Sequence, residues 1–272
     1  MREDLIIVRG GGDLATGTIH RLARSGFRVL VLESEQPAAI RRQVSLCEAI
    51  YDGRKEVEGL TAVRIHALEQ LDEIWQRGEV PMLADPVGMS IRLLSPAVVV
   101  DAILAKKNMG TSRDMAPLTV ALGPGYVAGE DVDAVIETMR GHNLGRILTR
   151  GSALPNTGVP GNIGGFTAER VLHAQRKGTF WGIRQIGDQV EQGEAIAVIR
   201  TEEGDIVVEA SISGLLRGLI RDGYPVKEGF KIADIDPRRG EYANCFTISD
   251  KARCIAGSVL ELVCRQIYLR KH

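Results

Sequence analysis

The sequence predicts an α/β chain: a Rossmann-like parallel-sheet domain over residues 1–165, a small β barrel over 166–240, and a helix within 241–272 that packs back on the chain. Three observations predict it. A short apolar run leads into a glycine-rich turn and a helical pattern. Later apolar runs each close on an acid or a glycine. One segment near the C-terminal end repeats itself.

Composition sets the outer limits. A chain of 272 residues that is 44% hydrophobic and 25% charged belongs to the folded globular class and has room for two domains. A formal net charge of −1 gives no electrostatic support for capture of nucleic acid or an anionic membrane. Aromatic residues at 4% speak against a base-stacking platform. The acidic start, Met1 to Asp4, lacks the order of a secretory signal, and no apolar stretch approaches the ~20 residues that span a bilayer. Cys47, Cys245, Cys254 and Cys264 show no paired metal spacing, so no metal site is expected and the compartment reads as cytoplasmic.

The first domain opens with Leu5-Ile6-Ile7-Val8, then Gly10-Gly11-Gly12-Asp13-Leu14-Ala15, then a helical pattern through Ile19, Leu22 and Ala23. A second run, Val29 to Leu32, ends at Glu33. In such a turn Gly10 permits the tight bend, Gly12 lets the backbone approach a pyrophosphate, and Ala15 lets the helix pack on the strand. The helix start offers unpaired N–H groups to phosphate, and Glu33 is placed to accept from ribose hydroxyls, which favours NAD over NADP. The plainer reading is a structural turn that holds nothing, and Asp13 at the helix start leans that way.

Farther on, a helical stretch is expected around Val44, Leu46 and Cys47, a strand over Val57 to Ile65, and a helix over Leu68 to Trp75. Runs ending at Asp85, at Asp101 and at Gly123-Pro124-Gly125 read as further parallel strands. Ligands gather at carboxyl ends of such strands, so Glu33, Asp85, Asp101, Gly123 and Gly125 are placed around one crevice, with capping and turn formation as the ordinary uses of both aspartates. Two glycine-rich loops, 140–145 and 156–165, suggest exposed amides or a plain linker. Arg140, His142, Asn156 and Thr157 are the polar candidates there. The other histidines (His20, His66, His173, His272) have no partner pattern.

The second domain rests on a repeat. Gly187 to Ala197 recurs as Gly223 to Ala233, with Gly187/Gly223, Val190/Val226, Gly193/Gly229, Ile196/Ile232 and Ala197/Ala233 coincident. This pattern resembles the lipoyl and biotinyl barrels, the barrel-sandwich hybrids, in which two such halves share a core. Those carriers attach their group to a lysine between the halves; here no lysine occurs between Lys177 and Lys227, so neither lipoate nor biotin is expected. Docking, a homo-oligomer contact or covering the first domain are the roles left. The terminal helix starts at a Ser249 cap, and Cys254 and Cys264 are expected on its buried face.

Residues 8–17, 123–129, 137–145, 156–161 and 231–238 together resemble the YqeB-type accessory proteins of selenium-dependent molybdenum hydroxylase systems, relatives of the xanthine and CO dehydrogenase maturation factors. The resemblance implies a maturation role in which the chain handles a molybdopterin dinucleotide or its sulfur or selenium ligand, with a molybdenum hydroxylase subunit or a cofactor-biosynthesis protein as partner. It supplies no catalytic residues. Two other functions compete: an NAD-dependent oxidoreductase using Asp85, Lys106 or His142 as proton donor, and an NAD-binding sensor or scaffold.

Overall fold

Leu5 to Val8 are wholly buried, as a strand covered on both faces requires, and they form the middle of the first sheet. The computed structural model describes residues 2–159 and 161–271, with side chains from Leu5 to Ile267. Met1, Pro160 and His272, included above in the readings of the start, the second loop and the histidines, lie outside the described residues.

Strand β1 (Arg2–Arg9) runs through the glycine turn into α1 (Asp13–Arg24) and returns as β2 (Arg28–Glu33). Short 3-10 turns and α2 (Ala49–Asp52) replace the helix expected around Cys47. The single strand expected over Val57 to Ile65 is a hairpin, β3 (Arg54–Val57) and β4 (Leu60–Ile65), because Glu58 and Gly59 both take positive φ and reverse the chain in two residues. Then follow α3 (Leu71–Gln76), β5 (Val80–Ala84), α4 (Met89–Leu94), β6 (Pro96–Asp101), β7 (Thr119–Leu122), β8 (Ala134–Ile136) and β9 (Ile147–Leu148). The order across the sheet is β3-β4-β5-β2-β1-β6-β7-β8-β9.

This corrects the expected Rossmann-like parallel domain. The sheet is mixed, with β3 antiparallel to β4 at one edge and β9 antiparallel to β8 at the other. An apolar run closing on a polar turn looks the same in either direction, so sequence pattern could not tell these edges from parallel strands. The last helix, α5 (Asp250–Lys271), packs on α1: a Cβ on Gly17 would stand 2.8 Å from that of Ala252. Arg253 on α5 also pairs at 2.7 Å with Glu58 in the hairpin turn.

Contacts divide the chain into one unit of Met1–Pro37, Ser45–Thr157 and Ile248–His272 and another of Ala38–Val44 and Gly158–Thr247. These units are drawn differently from the spans 1–165, 166–240 and 241–272. Ala38–Val44 joins the second unit because the Ile40 carbonyl accepts from the Leu219 N–H at 2.8 Å and Arg42 donates to the Leu219 carbonyl.

The second unit contains β10 (Val171–His173), β11 (Gly178–Gly182), β12 (Gln189–Val190), β13 (Ala195–Thr201), β14 (Gly204–Glu209), β15 (Gly214–Leu219), β16 (Pro225–Val226) and β17 (Lys231–Asp236). They form two four-stranded sheets, β10-β17-β15-β12 and β14-β13-β11-β16, antiparallel throughout. The expected lipoyl-like β barrel, a barrel-sandwich hybrid, is corrected accordingly: the second unit is two four-stranded antiparallel sheets. The repeat itself explains their order. The Gly187-to-Gly223 offset carries β11, β12 and β13 onto β15, β16 and β17, and each strand changes sheet in doing so. Gly178 and Gly214 are related by the same offset and share one constraint: a Cβ on either would meet the facing backbone carbonyl, of Arg200 or Asp236, at 2.4 Å.

Candidate functional site

The turn after β1 spends its three glycines differently. Gly10 has φ +95°, and a Cβ there would lie 2.9 Å from the Ala102 carbonyl, so both backbone angle and space exclude other residues. Gly11 donates its N–H to Glu33 Oε2 at 2.7 Å and accepts from the Cys47 N–H at 2.9 Å. Gly12 differs from both: φ is −66°, and its Cβ direction is empty to 4 Å. It caps α1 with no side-chain hydrogen bond to the helix. Asp13 and Leu14, the next two residues, are half-buried.

Glu33 does not stand free beside this turn. Its second oxygen accepts from Ser34 N–H at 2.7 Å. Burial pushes its carboxyl up, and the N–H bonds from Ser34 and Gly11 pull it back down. The Ser34 side chain bonds to it as well, so three donors leave the carboxylate one lone-pair site for a ribose hydroxyl, and the Gly11 amide is already committed.

The other residues expected at strand ends are used by the fold. Asp85 accepts from the N–H groups of Gly88, Met89 and Ser90 at 2.8–3.0 Å, which is the capping use. Burial would raise its carboxyl, but these donors hold it below the usual range. Asp101 is buried with Arg9 at 3.8 Å, and Thr111 donates to it. Burial and the Asp101 charge keep the neighbouring Tyr126 hydroxyl well above the ordinary phenol range. Gly123 and Gly125 both have positive φ. A Cβ on Gly125 would lie 2.6 Å from the Lys107 nitrogen, and one on Gly123 would lie 2.7 Å from Thr138 Oγ1. That turn is shut by its own chain, with Lys106 in the loop that shuts it.

Of the polar loop residues, Arg140 makes a bidentate pair with Asp250 at 2.8 Å. His142 is exposed, with no hydrogen bond or ion pair among the described residues. Asn156 and Thr157 are exposed at the end of the first unit. Buried Glu137 accepts from the Met139 and Leu154 N–H groups and so ties both loops down. Sequence reasoning missed Lys251. This half-buried lysine in the first turn of α5 lies within electrostatic range of Arg140, Asp13, Glu137 and Asp250. Burial and then the Arg140 charge hold its ammonium below the usual lysine range. Lys251 answers the charge of Asp13, the residue that had argued against an anion at α1. No spacing rule links positions 13 and 251; only α1–α5 packing brings them together.

Cys254 and Cys264, expected on the buried face of the terminal helix, are exposed, whereas Cys47 and Cys245 are buried. Burial pushes the Cys47 thiol well up, reinforced by Glu33, Glu48 and Asp13; burial raises Cys245 too. Among the described residues no group of three His, Cys, Asp or Glu side chains could hold a metal ion, and no helix is long and apolar enough to cross a membrane.

No family model matches the chain. Product-bound EutE (DoeB), an ectoine utilization protein from Ruegeria pomeroyi, aligns over 85% of this chain and 57% of its own at 12% identity and a TM-score of 0.24. A succinylglutamate desuccinylase from Silicibacter sp. TM1040 aligns over 85% of this chain and 84% of its own at 14% identity and a TM-score of 0.26. Scores that low say nothing about this chain's fold or activity. A relative from Escherichia coli (strain K12), curated as "Uncharacterized protein YqeB", is 48% identical over 259 residues, which is 95% of this chain and 47% of the relative. The chain spans about half the length of that relative. Over the part that it matches, the chain is a YqeB-type protein.

Proposed function

We propose that this chain is an accessory protein of a molybdenum hydroxylase, of the selenium-dependent kind, and that it holds the pyrophosphate of a molybdopterin dinucleotide at Gly12 and the first turn of α1. The observation that carries this is Gly12 itself. Its backbone angle suits any residue and its Cβ direction is empty, so the fold does not require glycine there. Close approach by a ligand does.

The residues around it fit an anionic group. The first N–H groups of α1 have no partner within the helix, and Gly12 supplies no side-chain cap. Lys251 adds positive charge near Asp13. An anion there would favour the Lys251 ammonium, which burial disfavours. Glu33 holds the turn rigid through Gly11 and keeps one lone-pair site for a ribose hydroxyl. When bound, the dinucleotide supplies the molybdenum-ligating pterin; this chain binds, orients and shields its phosphate end. Neither Cys47 nor Cys245 suits carriage of the sulfur or selenium ligand, since burial pushes both thiols away from the thiolate that such transfer requires.

Differential scanning fluorimetry of the purified chain with molybdopterin dinucleotide, NAD and inorganic pyrophosphate tests the proposal. Molybdopterin dinucleotide should raise Tm in the wild type and not in Gly12→Asp. A shift with NAD alone would favour the oxidoreductase or sensor reading, and no shift with any of the three would remove the cofactor-handling role.

A further inference from the structure

The chain leaves β1 and β6 in opposite directions. These strands are parallel neighbours, yet β1 leads to β2 on one side of the pair and β6 leads to β7 on the other. At such a reversal the strand ends open a crevice, and a ligand held at the β1 turn extends across it. Glu33 ends β2 on one side of that turn. On the other side, the loop 102–111 after β6 is an Ω-loop, its two ends drawn to one buried centre. Asp101 accepts from the Ile103 N–H at 3.1 Å and from the Thr111 hydroxyl, while Arg9 donates to the Met109 carbonyl at 3.4 Å and to Thr111. The first end also packs on the turn, since a Cβ on Gly10 would stand 3.1 Å from the Ile103 Cα. Two residues inside the loop take left-handed angles that glycine holds with less strain, Leu104 at φ +59° and Lys106 at φ +63°. Packing accounts for Leu104, whose Cδ2 lies 3.6 Å from the Cβ position of Gly123. Burial gives no such account of Lys106, which is exposed.

We infer that Lys106 sets the charge preference of the site, attracting an anionic group on the part of the ligand that crosses β6 and repelling a cationic one. The inference rests on Gly12 as the phosphate site. With its neck fixed, the loop offers the ligand the Lys106 ammonium and not its backbone. The two candidate dinucleotides differ at this end. Molybdopterin dinucleotide and NAD share the pyrophosphate, but the pterin half carries anionic metal-ligating thiolates, whereas the oxidised nicotinamide ring is a cation. One ammonium favours the first and opposes the second, so it selects by repulsion as well as by attraction. A single charge at contact range in a partly exposed site shifts binding by ~5-fold or more. NADH, whose reduced ring is neutral, isolates that effect from the rest of the molecule.

Isothermal titration calorimetry of the full chain with inorganic pyrophosphate, molybdopterin dinucleotide, oxidised NAD and NADH tests this. The wild type should bind NADH ~5-fold more tightly than oxidised NAD, and molybdopterin dinucleotide more tightly than either. Lys106→Gln should bind the two NAD forms alike and loosen molybdopterin dinucleotide ~5-fold, with pyrophosphate held within ~2-fold. Lys106→Arg should keep the wild-type order. Lys106→Gly removes the charge and relieves the strained angle, so it should show the same loss with a Tm no lower than wild type, which a folding defect could not produce. If the wild type binds none of the four ligands, the Gly12 reading fails and this inference with it. If the wild type binds pyrophosphate while Lys106→Gln leaves the NAD-to-NADH ratio or the molybdopterin dinucleotide affinity unchanged, the inference alone is overturned. A lower Tm in Lys106→Gly would make the lysine structural and overturn it equally.

Discussion

The turn after β1 and the turn after β7 sit at the same end of one sheet and look alike in composition, yet their glycines answer different needs. Gly123 and Gly125 have positive φ and lie against Thr138 and the Lys106–Lys107 backbone, so chain packing accounts for both. Gly10 is of that kind as well. Gly12 is not: its angle is ordinary and the space beside it is empty. Glycine content alone therefore does not mark a ligand site. The glycine that the fold does not need is the informative one.

The contrast can be broken by substitution, beginning where the largest effect is expected. Asp101→Leu, beneath the closed turn, leaves the Arg9 guanidinium buried without its carboxylate and should cost about 3–5 kcal/mol in urea denaturation. Gly125→Ala should cost about 2–3 kcal/mol, combining an unfavourable positive φ with a clash against Lys107. Gly12→Ala should stay within about 1 kcal/mol of wild type, the difference between glycine and alanine at a helix cap. A large loss there would mean that Gly12 is structural after all.

A subtler effect concerns pH. Burial and Arg140 lower the pKa of Lys251 in the folded chain, so with no ligand its charge opposes folding below that lowered value, and the opposition lifts as pH rises from there to the ordinary lysine range. An anion at α1 favours the protonated lysine. Affinity for pyrophosphate should therefore decline as pH rises through the lowered Lys251 pKa, and Lys251→Met should flatten that decline in calorimetric titrations. An unchanged pH profile in Lys251→Met would remove Lys251 from the site. The smallest effect needs no variant: an aromatic disulfide reagent should label Cys254 and Cys264 in the native chain and reach Cys47 and Cys245 only after unfolding.

Much of the first unit was legible because its strands are short continuous apolar runs; Leu5 to Val8 and Ala97 to Val100 were found for that reason. Strand direction was not, since periodicity carries no sign, and the hairpin at Glu58-Gly59 was hidden by a residue that seldom takes positive φ. The repeat was visible through its glycines and valines, but not its division into two sheets, which depends on pairing between distant strands. At the candidate site, local spacing identified Gly10 to Leu14 and Glu33. It could not show that Glu33 occupies the Gly11 amide, nor that Lys251 packs near Asp13, because both follow from tertiary contacts. Asp85 and Asp101 were located at strand ends, yet their side chains turn inward to serve a cap and a buried pair.

The most direct measurement is an amide NMR titration of the isotopically labelled chain with inorganic pyrophosphate and then with molybdopterin dinucleotide. The account requires saturable shifts centred on the N–H groups of Gly12, Asp13 and Leu14, with Gly123 and Gly125 unmoved. Shifts confined to other loops, or none at all at saturating ligand, would contradict it.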